Sequence, residues 1–555
     1  MSLTGLYSRN RTLLVYLGII AVTLLLLLPF LGSVHLFDSD EVNYAESARE
    51  MILTDDYLNV QIDYEPFPEK PPLFFWLQVA SMKLFGINEF AARFPNVICA
   101  VVTLLLLYFI GKRLYGHRFG IYWILAYGSA ILPFFFFKSG IIDPWFNLFI
   151  FLGMAWFVFY LDPKREGARV INVVLSALFF GLAVLTKGPV ALLIFLVCFI
   201  IFLTISRFRL KTSVRDVAIF TGVLLVVGGS WYFYQVMSGN SHLLRDFIHY
   251  NVKILSKVKT GHDGFFGYHL VILLIGVFPA SVISLKSITK KSEDTELQRL
   301  FKQWMYIMIL VVIVLYSIAK TKLLHYSSLA YFPMTFLGAW VWEKWVDRKI
   351  EIGSWQVILI LLIALFYAAA AILFPLAADH REWLIEKDLF FMDPFTTGAL
   401  RRNVHWSGYE WLIGLFLIVG VGVASVQILR RYSHGMLILH LVVLLFVTSS
   451  IYLFTGRIEG YTQRAAINFY KSMKGEEVYV RPLGFKSYSH LFYFDKQPGE
   501  KRMGIEELME NDLDRDAYFV IRLDDKERYM ERYPLLEFLV EKDGYVFTVK
   551  RSNIE

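Results

Sequence analysis

The sequence predicts a mainly α-helical polytopic membrane protein of about thirteen transmembrane helices, with juxtamembrane helices in its outer loops and a small C-terminal α/β domain. Three observations carry that expectation. The 555 residues are 56% hydrophobic and only 19% charged, too apolar for water to be the main solvent. Apolar runs long enough to cross a bilayer (about 17–25 residues for a helix) recur along the chain. Lysines and arginines collect in alternate connections between those runs, as the positive-inside rule asks of cytoplasmic loops.

In order, the runs fall near 12–33, 91–111, 119–137, 145–161, 170–186, 189–206, 216–237, 267–285, 304–319, 327–345, 354–375, 409–429 and 436–455. Arg9/Arg11, Lys112/Arg113/Arg118, Lys164/Arg165, Arg207/Arg209/Lys211, Lys290/Lys291, Lys344/Arg348/Lys349 and Arg430/Arg431 mark the cytoplasmic side. The outer side then receives the long 34–90 loop, 238–266, 376–408 and everything after about 456. Two units follow: a membrane unit 1–455 that includes loop 34–90, and an outer unit 456–555. In the second, "EEVYVRPL", "AYFVIRL" and "YVFTVKR" read as strands alternating with helical stretches such as "GIEELMENDL". Arg9 and Arg11 precede an apolar stretch with no evident small-residue cleavage site, which reads as a retained first span. The net charge of +7 is dispersed among the loops, so it makes no case for nucleic acid. Cys99 and Cys198 lie inside apolar runs and offer neither a disulfide framework nor a thiolate metal site.

The outer loops hold the unusual residues. "DSDEVNYAESAREM", 38–51, places Asp38 and Glu41 at capping-box spacing ahead of Val42, Ala45, Ala48 and Ile52 at helical spacing. That predicts a helix along the membrane surface whose start holds Asp40 ionised, although acids here also simply complement the helix dipole. "PFPEKPP", 66–72, frames Glu69 and Lys70 with prolines, which present the pair rigidly; a snorkelling lysine is the plainer reading. Short outer connections carry Asp143 in "KSGIIDPW", Lys187 in "LTKGPV", and Lys320, Lys322, His325 and Tyr326 in "AKTKLLHYSS". Charges at membrane depth are costly, so they point to function as much as to interface anchoring. Lysines facing carboxylates on one outer face suit an anionic substrate. "KVKTGHDGFFGYH", 257–269, adds His262 and His269, without metal-binding HxxxH or HExxH spacing.

A sugar joined to a lipid phosphate would need this set. Its leaving group is a weak base, so catalysis asks for one carboxylate to take the acceptor's proton and cations to hold the phosphate. Glycosidases need two opposed carboxyls instead. A transporter, the competing class, would show duplicated halves with broken spans at matching positions; here the charges gather on one outer face.

"DEVNYAESAREM", "EKPP", "IDP", "LTKGP" and "KTKLLHY…FP", in this order between about 10 and 345, resemble the integral-membrane glycosyltransferases of the GT-C superfamily. More narrowly, they are similar to the bacterial branch typified by the lipid A aminoarabinose transferase and related to protein O-mannosyltransferases. The resemblance implies inverting transfer of one sugar from a polyprenyl (undecaprenyl) phosphate to an acceptor, lipid A or another envelope glycolipid, with a protein acceptor as the alternative. It implies a bacterial inner-membrane protein whose active site and C-terminal domain are periplasmic. Asp40 would be the catalytic carboxylate, with Glu41 supporting the helix start and Asp143 as a second acid of the catalytic set. Lys70 would bind the donor phosphate, with Tyr44, Lys187, Lys320, Lys322, His325 and Tyr326 as further substrate-binding residues. No cofactor is essential in this pattern, although Glu69 and His262 could together hold a divalent cation. The aminoarabinose branch tends to have "YFEKPP", whereas here Phe67-Pro68 precedes Glu69.

Overall fold

A computed structural model describes residues 3–38, 40–162, 166–207, 212–256, 264–288, 293–388, 393–500 and 502–552. Helix α1 (Leu3–Leu27) leads into loop 34–90, which folds as α2 (Asp40–Thr54), an antiparallel hairpin of β1 (Gln61–Ile62) and β2 (Glu65–Pro66), and α3 (Leu73–Phe85). Then come α4 (Glu89–Tyr115), α5 (His117–Gly128), α6 (Ile131–Phe137), α7 (Asp143–Tyr160), α8 (Arg169–Lys187) and α9 (Val190–Ile205). They are followed by α10 (Val214–Gly228), α11 (Ser230–Met237), α12 (Ser241–Ser256), α13 (Tyr268–Gly276), α14 (Ala280–Ser284) and α15 (Glu296–Ile318). The membrane unit ends with α16 (Tyr331–Val346), α17 (Ser354–Asp379), α18 (Arg381–Glu386), α19 (Pro394–Leu400), α20 (Leu412–Leu429) and α21 (Gly435–Thr462).

Among the described residues, seven helices are long and apolar enough to cross a membrane: α4, α7, α8, α15, α17, α20 and α21. Three of the expected spans are instead bent pairs: α5 with α6 at 74°, α10 with α11 at 56°, and α13 with the stretch 280–287 at 109°. Hydropathy alone cannot see these breaks. They fall ahead of Pro133, at Gly229 and at Pro279, where proline or glycine interrupts the helical ladder.

Beyond α21 the chain forms α22 (Arg464–Ser472), β3 (Tyr479–Leu483), α23 (Ser489–Phe494), α24 (Ile505–Glu510), β4 (Ala517–Arg522), α25 (Lys526–Arg532), β5 (Glu537–Lys542) and β6 (Tyr545–Lys550). The strands order as β3-β4-β6-β5, with β3 and β4 parallel and the other pairs antiparallel. No linker separates this unit from the membrane unit, because α21 runs through position 456 as continuous helix. One buried apolar cluster extends from Leu27 and Phe74 to Val480, Leu491 and Phe547, so the two units share a core.

Helix α2 is not the half-exposed amphipathic helix that its spacing suggests. It is buried between α3 and α23, with Glu41, Glu46, Arg49 and Glu50 all out of solvent. Nor does its start form the expected capping box: Glu41 accepts from the Phe37 N–H at 2.8 Å, while the Asp38 carboxylate is held by Ser487, Ser489 and the Tyr488 N–H. Four buried charges on one helix survive only with partners. Arg49 donates to both oxygens of Glu46 (2.8 and 2.7 Å), to Asp495 at 3.0 Å and to the Lys496 carbonyl at 2.8 Å. At the tip of the β1–β2 hairpin, Asp63 and Tyr64 take left-handed φ values of 59° and 58°, a conformation unfavourable for side chains of their kind. Glu50 stabilises that turn by accepting both N–H groups, at 2.6 and 2.9 Å. Asp63 then plugs into the C-terminal unit, against Arg481 at 3.1 Å, Arg502 at 3.2 Å and Lys496.

Burial, and then the neighbouring Glu46, push the Glu50 carboxyl up to about 9, so the folded protein keeps a proton that the unfolded chain releases. The stability this contributes is complete below the ordinary carboxyl range and is lost as pH rises through about 9. Thermal stability in detergent is therefore expected to fall as pH rises from the ordinary carboxyl range to about 9, by ~1.4 kcal/mol per pH unit for one proton, and to level off above that. Glu50→Gln should flatten that limb, and an unchanged limb would place the titration elsewhere.

Candidate active site

The start of α2, the start of α7, the end of α8, the proline-framed loop and the 3-10 turn Leu324–Ala330 meet at one place. The His325 ring is at its centre. Its Nε2 lies 3.9 Å from Asp40 Oδ2 and 4.0 Å from Asp143 Oδ2, while Lys187 and Lys70 are close enough for their charges to act on the ring. Burial, before any of these charges, holds the imidazole below its usual range and so favours the neutral ring.

Each side chain is aimed by local structure. Asp143 opens α7, and Lys187 closes α8 and donates to Asp143 Oδ1 at 2.6 Å. Gly188 follows with φ +90°, and a Cβ there would sit 2.5 Å from the Phe247 ring, so only glycine fits this exit. One turn along α7, Asn147 donates to Ser328 Oγ at 2.6 Å, and Ser328 donates to the His325 carbonyl. That pins the 3-10 turn against the helix bearing Asp143. The Phe67 N–H bonds to the Val60 carbonyl at 2.8 Å and Pro72 precedes α3, so the loop carrying Glu69 and Lys70 is tied at both ends. Lys70 Nζ donates to the Glu69 carbonyl at 3.2 Å and lies 5.4 Å from the Tyr250 ring centre, while Tyr250 donates to Glu69 Oε2 at 2.6 Å. Beneath them Tyr44 is buried edge-on against Phe74 and Phe75. Burial first, then Asp40, Asp143 and Glu69, raise its hydroxyl well above the usual range, so it stays a hydrogen-bond donor.

Glu41 faces away from this cluster. Arg93, on α4, grips both its oxygens at 2.8 Å, and the Phe37 and Gly140 N–H groups donate to it at 2.8 and 2.6 Å. Burial alone would raise its carboxyl, but Arg93 and the two N–H groups hold it below the usual range. Glu41 therefore joins the start of α2 to the loop that leads into Asp143.

Residues 69–232 match the family described as dolichyl-phosphate-mannose-protein mannosyltransferase. A relative from Wigglesworthia glossinidia brevipalpis, an undecaprenyl phosphate-alpha-4-amino-4-deoxy-L-arabinose arabinosyl transferase, is 25% identical over 338 residues. That match covers 59% of this chain and 58% of the relative's own length. The crystal structure of ArnT from Cupriavidus metallidurans bound to undecaprenyl phosphate superposes with a TM-score of 0.74 at 18% identity, over 97% of this chain and 98% of that one. The Archaeoglobus fulgidus oligosaccharyltransferase in its apo form aligns with a TM-score of 0.51 at 12% identity, over 93% of this chain and 70% of that one. The chain has the fold of that ArnT structure.

In this protein, Asp40, Lys70, Asp143, Lys187, His325 and Tyr326 come together, with Tyr44 and Glu69 at the edge. Tyr326 stands beside Lys187, its ring centre 5.7 Å from the ammonium. Two lysines are not brought to the cluster. Lys322 donates to the carbonyls of Tyr316, Ser317 and Ala319 at 3.0, 2.6 and 2.6 Å, capping the C-terminus of α15, and Lys320 is exposed. His262 lies outside the described residues. Glu69 gives one oxygen to Tyr250, and among the described residues no group of three or more His, Cys, Asp or Glu converges as cation ligands. The sequence reading missed Arg93 and Tyr250. Arg93 does leave a trace, an arginine at the start of a long apolar run; Tyr250 leaves none.

Proposed function

We propose that this protein is an integral-membrane glycosyltransferase that moves a single sugar from a polyprenyl phosphate to an acceptor, with inversion at the sugar carbon. The observation that carries it is the meeting of Asp40 and Lys70 around His325, a base and a cation placed to act on one bound molecule. Asp40 takes the proton of the acceptor hydroxyl as that oxygen attacks the sugar carbon. The bond to phosphate breaks, its electron pair leaves with the phosphate, and Lys70 and Lys187 stabilise the charge that gathers there. Glu41 is a positioning residue in this reading. Two apolar clefts support lipid substrates: one of ≈ 480 Å³ reaches Leu324, and one of ≈ 370 Å³ reaches Pro189, each within two residues of the cluster. They favour a lipid acceptor such as an envelope glycolipid. The match to a protein mannosyltransferase family favours a protein acceptor as the second reading.

Thirteen spans, an odd number, would put the cluster and the unit 456–555 on the periplasmic side of a bacterial inner membrane, where lipid-linked sugars rather than nucleotide sugars are supplied. Mass spectrometry of envelope glycolipids and glycoproteins, with and without the gene, identifies the acceptor; no change in either refutes the assignment. In the same assay, Lys70→Ala should lower kcat/KM for the donor by roughly 10- to 100-fold, the worth of one charge-assisted hydrogen bond. An unaltered donor dependence would remove Lys70 from the phosphate site.

A further inference from the structure

We infer that His325 is a proton relay, which takes the proton from Asp40 after transfer and shares it with Asp143. This deepens the transferase reading and rests on it. The Asp40 side chain is 39% exposed and that of His325 only 15%, so the open side of Asp40 is the side an acceptor must occupy. Once acceptor and donor fill it, the proton on Asp40 is cut off from water there. The imidazole on the inner side is then the next base.

The geometry suits that step. One nitrogen, Nε2, faces both carboxylates, 3.9 Å from Asp40 and 4.0 Å from Asp143. These separations exceed a hydrogen bond, and contacts of this kind shorten when substrates close around them. Asp143 is ionised against Lys187 through its other oxygen, so an imidazolium formed at Nε2 meets a standing anion. The groups facing the ring are Asp40 on α2, Lys70 before α3, Asp143 on α7, Lys187 on α8 and His269 on α13, with Tyr326 beside it on its own turn. The lysines and burial disfavour a standing imidazolium, which leaves a neutral ring able to accept. The balance is complete: the acceptor O–H gives its proton to Asp40, Asp40 gives it to Nε2, and the imidazolium returns it to water as products leave. No other reactant is required.

The test uses full-length protein added to membrane vesicles from cells lacking the gene, which retain the native lipid-linked donor and acceptor. Wild type, His325→Gln, His325→Ala and Asp40→Asn are compared from pH 5 to 9, with undecaprenyl phosphate binding as the check on folding. The relay predicts that both His325 variants lose roughly 10- to 100-fold in kcat at unchanged donor KM and unchanged undecaprenyl phosphate binding. It further predicts that the acid limb of the pH profile shifts and that added imidazole restores part of the His325→Ala rate. Turnover within about threefold of wild type with the same pH profile overturns it. So does a loss confined to KM or to undecaprenyl phosphate binding. If Asp40→Asn is dead while His325→Gln is active, only the relay fails; if Asp40→Asn also works normally, the transferase reading falls with it.

Discussion

Asp40→Asn is expected to lower sugar transfer by roughly 10³-fold while leaving expression, membrane insertion and melting behaviour near those of wild type. The amide keeps the volume and polarity of the side chain but cannot take the acceptor's proton. The effect on folding should be small, because among the described residues the ion-pair neighbour recorded for Asp40 is the His325 ring, 3.9 Å away and beyond hydrogen-bond reach. The neighbouring acid gives the contrast. Asp143 is buried and paired with Lys187 at 2.6 Å, so Asp143→Asn leaves a half-buried ammonium without its carboxylate and should cost stability as well as rate. A purified Asp40→Asn protein that turns over the lipid-linked donor at a near-normal rate would show that the base lies elsewhere.

The sequence disclosed the loops that matter more readily than the partnerships within them. Asp40, Lys70, Asp143, Lys187 and His325 stand out as charges at the ends of apolar runs, because hydropathy makes any charge at that depth conspicuous. What each charge faces depends on contacts across long separations. Lys187 and Lys322 look alike in sequence, yet one meets Asp143 on another helix and the other caps its own preceding helix. The burial of α2 was illegible for the same reason. A stretch with Glu41, Glu46, Arg49 and Glu50 reads as amphipathic and exposed until Arg93, Asp63, Asp495 and Lys496 are placed around it. The bends in three spans escaped because composition reports how apolar a run is and not where its ladder breaks.

Replacing Arg93 should have the largest effect on the fold. Its guanidinium uses all five N–H donors: two on Glu41 at 2.8 Å, and three on the carbonyls of Leu31, Val34 and His35 at 3.0, 2.7 and 2.9 Å. Arg93→Met therefore leaves a buried carboxylate with only two N–H donors, and three carbonyls lose a partner. Breaking a buried pair from one side costs about 3–5 kcal/mol, so the variant should unfold at markedly lower temperature and lose transfer with it. Arg93→Lys should rescue little, since a single ammonium cannot span a carboxylate and three carbonyls in one plane. Adding Glu41→Gln to Arg93→Met separates the two roles of the pair. Removing the stranded charge should return part of the stability, whereas transfer should stay low, because nothing then clamps loop 31–35 to the start of α2 and aims Asp40. Should Arg93→Met melt within a degree or two of wild type and remain active, the clamp is not what holds Asp40 in place.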